Sequence, residues 1–482
     1  MARKSVLSYD RGTLILHPPP RGSAWVPFAT WDDRVERFRV RARDYARLLL
    51  ALRADNVEID DQARAFREVS FVPSFEMTPY EHQTEALRLW LQSGREGVIV
   101  LPTAAGKSYL AQLAMERTPR STLILVPTKP LLSQWYAHML SAFPDLNIGV
   151  LGGGDHDGIG PTDGPPIDLL ISTYTSAAIH AEALGNRYAL LIFDECHNLP
   201  TDFYRAIAEL SIAPYRLGLT ATPERADGRH EELATLIGPE LYRRAPEELS
   251  GVALAEYETV QIKVHLSAAE RSEYDSHIQR RDRFLRERGI NFGGNGWMRF
   301  VQASAQSEEG RRAMIAHHKA RALAFGAEAK LRVLATLLAE HYPTRAIIFT
   351  NDNQTVHIIS EHFLLPAITH ETPTKERHEI LRRFREGSYH TVVTSRVLNE
   401  GIDVPNATIG IVLSGTASHR EYVQRLGRLL RRGDDPNKKA ILYEVIAEET
   451  TEEGTAKRRR GKPKPVYHVN PVEQEGFDWE EE

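Results

Sequence analysis

Cysteine is nearly absent: Cys196 is the only one in 482 residues. A single thiol excludes disulfides within the chain and any multi-cysteine zinc or iron–sulfur site. Long apolar runs are missing as well, none approaching the roughly 18 residues that a membrane span needs. The N-terminal Met-Ala-Arg-Lys-Ser passes straight into polar sequence. Neither a signal peptide nor a membrane anchor is therefore expected, and a cytoplasmic, nucleoid-associated location is. An excess of charge of one sign is also lacking, since 60 Lys and Arg against 65 Asp and Glu leave a net −5. Any nucleic-acid groove must then be a local basic surface rather than a field of the whole molecule. What is present is ordinary for a globular chain: 42% hydrophobic and 26% charged residues support a sizeable core and exclude global disorder. The length exceeds what one core holds and fits two domains plus additions.

The most informative stretch is Leu-Pro-Thr-Ala-Ala-Gly-Lys-Ser, from Leu101 to Ser108, behind the apolar run Gly97 to Leu101. A tight turn of small residues (Thr103, Ala104, Ala105, Gly106) between a strand and a helix starting near Lys107 aims backbone N–H groups and a helix N-terminus at polyphosphate. Lys107 would hold the β- and γ-phosphates of ATP, and the Ser108 hydroxyl would ligate Mg²⁺. Alone, such a turn can equally be a plain strand-to-helix connection. The second half of a nucleotide site stands at Leu190 to His197, a buried-type strand ending in Asp194 and Glu195. Asp194 would hold the Mg²⁺ shell through water, and Glu195 would orient and deprotonate the attacking water. Solvated turn residues are the bland alternative, and the phosphate loop upstream weighs against it. Far downstream, Gln424 to Arg431 places Arg428 and Arg431 three residues apart on one helical face, with Leu426, Leu429 and Leu430 to anchor it. A positioned Arg accelerates hydrolysis in phosphate-loop enzymes by ~10³–10⁵-fold; the rival reading is a solvated basic helix.

The chain divides by pattern. Residues 1–72 read as a small mixed domain, with a strand at Thr13 to His17 and an amphipathic helix from Asp44 to Asp55 carrying Tyr45, Leu48, Leu49 and Leu52 on one face. Residues 73–255 alternate helices with strands at Val98 to Leu101, Thr122 to Val126, Leu169 to Ser172, Leu190 to Phe193 and Arg216 to Thr220, which argues for a parallel sheet with ligands at the strands' C-terminal ends. Within it, Gly152 to Pro166 contains Asp155, His156 and Asp157 without regular spacing and reads as a loop, not a metal site. The interval 256–322 reads as a helical insertion: Ser267 and Glu270 form a capping box, opening a helix to Gly289 that carries Arg280, Arg281, Arg283, Arg286 and Arg288. Beside Trp297 and Phe300 that basic face is either a nucleic-acid grip or a solvated surface. A second domain, 323–448, repeats the strand pattern at Arg345 to Phe349, Thr391 to Thr394, Ile409 to Leu413 and Ala440 to Glu444, without a second phosphate loop. The remainder, 449–482, pairs a basic run with acidic residues and reads as a disordered tail.

Taken in order, Gln83, the phosphate loop, Val126-Pro127-Thr128, Ile171-Ser172-Thr173-Tyr174, Asp194-Glu195-Cys196-His197, Thr220-Ala221-Thr222, Ile348-Phe349-Thr350, Ser395 to Pro405 and Gln424 to Arg431 resemble the motif set of superfamily 2 helicases. Glu224 to His230 directly after Thr-Ala-Thr, Val397 to Pro405, and the insertion before the second domain look like the XPB branch of DNA-repair and promoter-opening translocases. The resemblance implies an α/β fold of two RecA-like parallel-sheet motor domains in tandem, with a small N-terminal α+β domain akin to a damage-recognition domain and a thumb-like helical insertion. It implies one ATP with Mg²⁺ between the motor domains, and movement 3′→5′ along DNA in repair. It further implies that Gln83 contacts adenine, that Gly401, Asp403 and Gln424 act on the nucleotide from the second domain, and that Pro127, Thr128, Thr173, Thr220, Thr222, Arg225, Asp227, Thr350 and Ser395 bind nucleic acid or couple it to hydrolysis. The partners so implied are DNA at a single-strand/duplex junction and a nuclease or other repair protein; no membrane is involved and the motor is a monomer. Two residues depart from the family pattern. Ala104 stands where Gly is usual, at a position that favours φ > 0, which leads us to expect slow turnover. The family's Arg-Glu-Asp reads Arg225-Ala226-Asp227, which puts strand separation rather than hydrolysis in question. An RNA helicase with the same motor and a nucleotide-dependent DNA scaffold that recruits a nuclease remain as alternatives, because phosphate contacts do not name the sugar.

Overall fold

The apolar segments become the strands of three sheets in a computed structural model that describes residues 4–157, 166–225, 227–292, 295–395, 407–414, 427, 429–430, 438–460 and 466–468. The chain forms two units, Met1–Leu249 and Ser250–Glu482.

In the first unit, β1 (Ser5–Asp10), β2 (Thr13–His17), β3 (Ala29–Asp32), β4 (Arg37–Arg41) and β5 (Ile59–Asp61) make a sheet in the order β3-β4-β2-β1-β5. Strands β1 and β2 meet antiparallel through the turn Arg11-Gly12, both residues at positive φ, as a two-residue hairpin requires. Leu7, Leu14, Leu16 and Val40 face the helix Tyr45–Ala54, which buries Tyr45, Leu48 and Leu52 against them. Ile212 joins that core, and the Tyr9 hydroxyl donates to Leu210 O at 2.9 Å, so the small sheet is docked on the larger domain beside it.

That larger domain is built on β6 (Glu96–Val100), β7 (Thr122–Val126), β8 (Ile148–Gly152), β9 (Asp155–His156), β10 (Leu169–Thr173), β11 (Leu190–Asp194), β12 (Tyr215–Thr220) and β13 (Glu240–Arg243), in the order β13-β6-β12-β11-β7-β10-β8-β9. All pair in parallel except β9, which turns back on β8. Strands β7, β10 and β11 are buried at every residue, which is why they read as unbroken apolar runs rather than alternating ones. Their C-terminal ends all open on one edge, and the motif residues follow there.

The second unit is organised by β14 (Glu256–Val264), β15 (Ala346–Phe349), β16 (Ala367–Ile368), β17 (Thr391–Thr394), β18 (Ile409–Val412), β19 (Lys439–Ala447) and β20 (Val466–His468), in the all-parallel order β16-β17-β15-β18-β19-β14-β20. Two expectations are corrected here. The opening of the insertion, 256–264, is β14, paired residue for residue with β19; the helical part is Ala268–Glu287, Gly296–Ala305 and Glu308–Phe325. The tail from 449 is not disordered throughout. Thr451–Arg460 is a helix, and β20 adds to the sheet edge. The helix is pinned by Glu452, 3% exposed, whose Oε2 lies 2.6 Å from Nζ of Lys330, 1% exposed. Lys330 also donates to Leu413 O, and Ala447 N–H donates to the same Glu452 oxygen. A buried ion pair of this kind leaves no trace in composition.

Candidate nucleotide site and nucleic-acid motifs

The phosphate loop is held by its neighbours before any ligand is considered. Leu101 N–H donates to Thr220 O at 2.9 Å, tying the end of β6 to that of β12, and Ala105 N–H donates to Pro102 O. Ala104 and Gly106 both take left-handed backbone, at φ +70 and +78. A Cβ on Gly106 would lie 2.2 Å from Gln83 Nε2 and would push that amide aside, at a left-handed position that favours glycine. Gly106 caps the helix Lys107–Glu116 without any side-chain cap bond. The first helical N–H groups have no intrahelical acceptor, so they and the positive end of the helix dipole face the loop. Thr103 Oγ1 is buried and has no partner among the described residues. An orphaned hydroxyl, an uncapped helix start and a left-handed cradle fit a nucleotide phosphate bound with Mg²⁺.

Gln83 braces this loop from beneath. Its Oε1 accepts from Tyr80 N–H at 2.9 Å and its Nε2 donates to Gly106 O at 3.1 Å, while His82 Nε2 lies 3.0 Å from Ala105 O. Both ends of the Gln83 amide are thus engaged with protein, a support role the motif pattern did not reveal.

Glu195 follows β11 in left-handed backbone, φ +48, which turns its carboxylate back toward the loop. Lys107 Nζ lies 3.6 Å from Glu195 Oε1 and donates to Leu101 O at 3.3 Å. On the other oxygen, His197 Nδ1 and Thr220 Oγ1 each stand 3.4 Å away, and they lie 3.0 Å from one another. Burial pushes the Glu195 carboxyl up, but Lys107 and His197 together outweigh it and hold it below the usual carboxylate range. Asp194 goes the other way. Burial and the neighbouring Glu195 charge raise it to about 6. Its Oδ2 accepts from Trp135 Nε1–H at 2.8 Å, its Oδ1 from Glu195 N–H at 3.1 Å, and its carbonyl from the Tyr174 hydroxyl at 3.0 Å. Lys107, Asp194, Glu195 and Thr220 are therefore brought together. His197, Trp135 and Tyr174 were not singled out in the sequence, although His197 and Tyr174 stand inside quoted motifs.

The remaining motif residues sit at strand ends. Thr128, after Pro127, is the N-cap of the helix Lys129–Ala142, its Oγ1 buried without a partner among the described residues. Thr173 caps Tyr174–Ile179 by accepting from Ser176 N–H. Thr222 N–H donates to Thr220 Oγ1 at 3.3 Å. Arg225 Nη1 donates to His197 O at 2.8 Å, and its Nε and Nη2 grip Asp227 at 2.9 and 2.6 Å. Arg225 holds the Asp227 carboxyl well below its ordinary range. Asp227 Oδ1 also accepts from Arg229 N–H at 3.2 Å. In the second unit Thr350 and Ser395, both buried, end β15 and β17; Thr350 N–H donates to Thr394 O at 2.9 Å and Ser395 N–H to Ile368 O at 3.4 Å. Ala226, Gly401, Asp403, Gln424, Arg428 and Arg431 lie outside the described residues.

Three family models match: the res subunit of type III restriction enzymes over residues 76–225, the damage recognition domain of the xeroderma pigmentosum group B helicase over 7–63, and the helicase conserved C-terminal domain over 329–433. The chain is 36% identical to the DNA 3′-5′ translocase XPB2 of Sulfurisphaera tokodaii over 94% of its own length and 99% of the relative's. The chain belongs to the XPB family of superfamily 2 helicases. Its likeness to the DNA 3′-5′ helicase XPB of Kineococcus radiotolerans is 30% over 80% of this chain, and it spans 62% of that longer relative. For the DNA 3′-5′ helicase XPB of Mycobacterium tuberculosis the identity is 29% over 76% of this chain and 60% of the relative. Among solved structures, the Hef helicase domain of Pyrococcus furiosus superposes with a TM-score of 0.53 at 18% identity, over 78% of this chain and 97% of that one. Yeast Dbp5 bound to RNA and ADP BeF3 gives 0.52 at 13% identity, over 81% and 90%. These likenesses are of fold: two RecA-like α/β domains in tandem, as this XPB-family chain was expected to have.

Proposed function

We propose that the chain is an ATP-dependent DNA translocase of the XPB type, moving 3′→5′ along DNA in repair. The observation that carries this is the convergence of Lys107, Glu195, His197 and Thr220 beside a left-handed phosphate loop, in a chain alike over nearly its whole length to a relative described as a DNA 3′-5′ translocase.

Mg²⁺, when bound, would supply charge neutralisation to the transferring phosphoryl group. Ser108 and Asp194 are the residues that would hold it, Asp194 through water. Lys107 holds the phosphates by its Nζ, and the N–H groups that begin the helix Lys107–Glu116 cradle them. Glu195, kept ionised by Lys107 and His197, is the base that takes the proton from water at Oε1 or Oε2. Thr220 and His197 fix that carboxylate and join it, through His197 O, to Arg225 and Asp227. Arg428 and Arg431 are assigned the transition-state charge from their motif alone. The working partners in this proposal are DNA at a junction and a nuclease or other repair protein, at the nucleoid.

Multiple-turnover ATPase with single-stranded DNA, duplex DNA and RNA tests the proposal. DNA should accelerate turnover and RNA should not. Equal acceleration by RNA would give the activity to an RNA helicase, and no turnover at all would leave a nucleotide-dependent scaffold.

A further inference from the structure

Asp194 is gripped by two aromatic side chains from two different helices, one capped by Thr128 and the other by Thr173. Trp135, 3% exposed, gives its indole N–H to the carboxylate, and Tyr174, 1% exposed, gives its hydroxyl to the carbonyl. Trp135 belongs to the helix Lys129–Ala142, whose N-cap is Thr128. Tyr174 is the first residue of the helix capped by Thr173. Each helix begins at a strand end, β7 and β10, on the same edge of the sheet as Asp194 at the end of β11.

A buried indole N–H or phenol needs an acceptor somewhere. Satisfying that need does not require both to choose one residue. Here the choice falls on Asp194, and the two bonds hold different parts of it: Trp135 fixes the rotation of the carboxylate, whose other oxygen takes Glu195 N–H, and Tyr174 fixes the backbone just before the left-handed turn at Glu195. Trp135 stands seven residues along its helix from Thr128, about 10 Å at 1.5 Å per residue. A helix is stiff over two turns, so a tilt imposed at its N-terminus reaches the indole nearly undiminished. His138 packs edge-on against Trp135, and Tyr204 lies against Tyr174 with ring centres 5.5 Å apart, which leaves neither ring free to swing independently of its helix.

We propose that Trp135 and Tyr174 are positioning residues that carry the state of the Thr128 and Thr173 motifs to Asp194, so that nucleic acid held at the two helix starts tightens the grip on Mg²⁺–nucleotide. This rests on the DNA-translocase reading. Both act through Asp194.

The test is equilibrium binding of a fluorescent non-hydrolysable ATP analogue with Mg²⁺, with and without a deoxythymidine oligonucleotide, on the full chain, alongside its ATPase. In the parent, DNA should tighten analogue binding by about fivefold or more, and by linkage the analogue should tighten DNA equally. In Trp135→Phe and in Tyr174→Phe that factor should fall toward one, and DNA stimulation of ATPase should fall with it. DNA affinity without nucleotide should stay within about twofold, because only the bonds to Asp194 are lost and the caps at Thr128 and Thr173 are left as they are. Should Trp135→Phe fail to fold, Tyr174→Phe, which removes one hydroxyl, decides the matter. Folded variants that keep the parental coupling factor overturn the inference and leave the translocase reading intact. A parent whose ATPase no DNA stimulates sinks the translocase reading itself, and the inference with it.

Discussion

Ala104 offers a perturbation whose size follows from its backbone. At φ +70 it occupies the left-handed region, where an L-residue with a Cβ is strained by about 1–2 kcal/mol. Ala104→Gly removes that strain. It also frees the unfolded chain, which offsets the gain by about 0.4–1 kcal/mol. The balance is a stabilisation of roughly 0.5–1 kcal/mol. In a unit of this size, Met1–Leu249, that raises the melting midpoint by about 1–4 °C. Ala104→Val should do the reverse and by more, since a β-branched side chain is a poor occupant of this region. Turnover should rise in the Gly variant, because the loop then reaches the family's usual conformation without strain. Thermal scans of the three proteins, with steady-state ATPase on each, check this. A Gly variant that melts below the parent, or a Val variant that melts with it, would refute the reasoning.

Three further outcomes are expected. Glu452→Gln should lower the melting midpoint of the second unit, because it strips the charge from a buried partner of Lys330 and such losses cost about 3–5 kcal/mol; replacing both residues by Met and Leu should recover most of it, and a single variant that melts like the parent would show the pair to be idle. The Mg²⁺ concentration for half-maximal ATPase should be flat above pH 7 and climb as pH falls through about 6, where Asp194 takes up a proton and stops attracting the ion; a flat profile down to the acid limit of folding would remove Asp194 from the metal's surroundings. Asp227→Ser should keep DNA-stimulated ATPase and lose strand displacement on a forked duplex, because it releases Arg225 from its bidentate partner while Ser can still accept from Arg229 N–H; full displacement would make Asp227 a turn cap and no more.

Much of the framework was legible in the residues. Thr122 to Val126 and Thr391 to Thr394 were bounded correctly, the helix after the phosphate loop begins at Lys107, and the Ser267–Glu270 capping box is made on both sides. These signals are local: apolar runs, small-residue turns and caps. The left-handed backbone at Ala104 was legible from the Gly preference of its position. What escaped notice depends on partners far along the chain. Strand β14 has Glu256, Glu258 and Lys263 among its apolar residues and sits next to a helix cap, so it reads as the start of the insertion, and only its pairing with β19 marks it as a strand. Glu452 looked like any acidic tail residue because Lys330 is its reason for being buried. Trp135 and His197 become informative only when the sheet brings Asp194 and Thr220 to them. Trp135 lies on the buried face of its helix with Leu132 and Met139, and burial alone does not say that its indole serves a carboxylate.

In the proposed function, hydrolysis at Glu195 drives directed movement on DNA. The most direct measurement is displacement of a labelled third strand from a DNA triplex placed at the 5′ or at the 3′ side of the loading site, with ATP, for the parent and for Glu195→Gln. The amide keeps the shape of the carboxylate but cannot take the proton. The parent should strip the triplex lying in the 3′→5′ direction, and Glu195→Gln should bind nucleotide and DNA yet strip nothing. Displacement by Glu195→Gln at the parental rate, or a parent that hydrolyses ATP and leaves both triplexes in place, would contradict it.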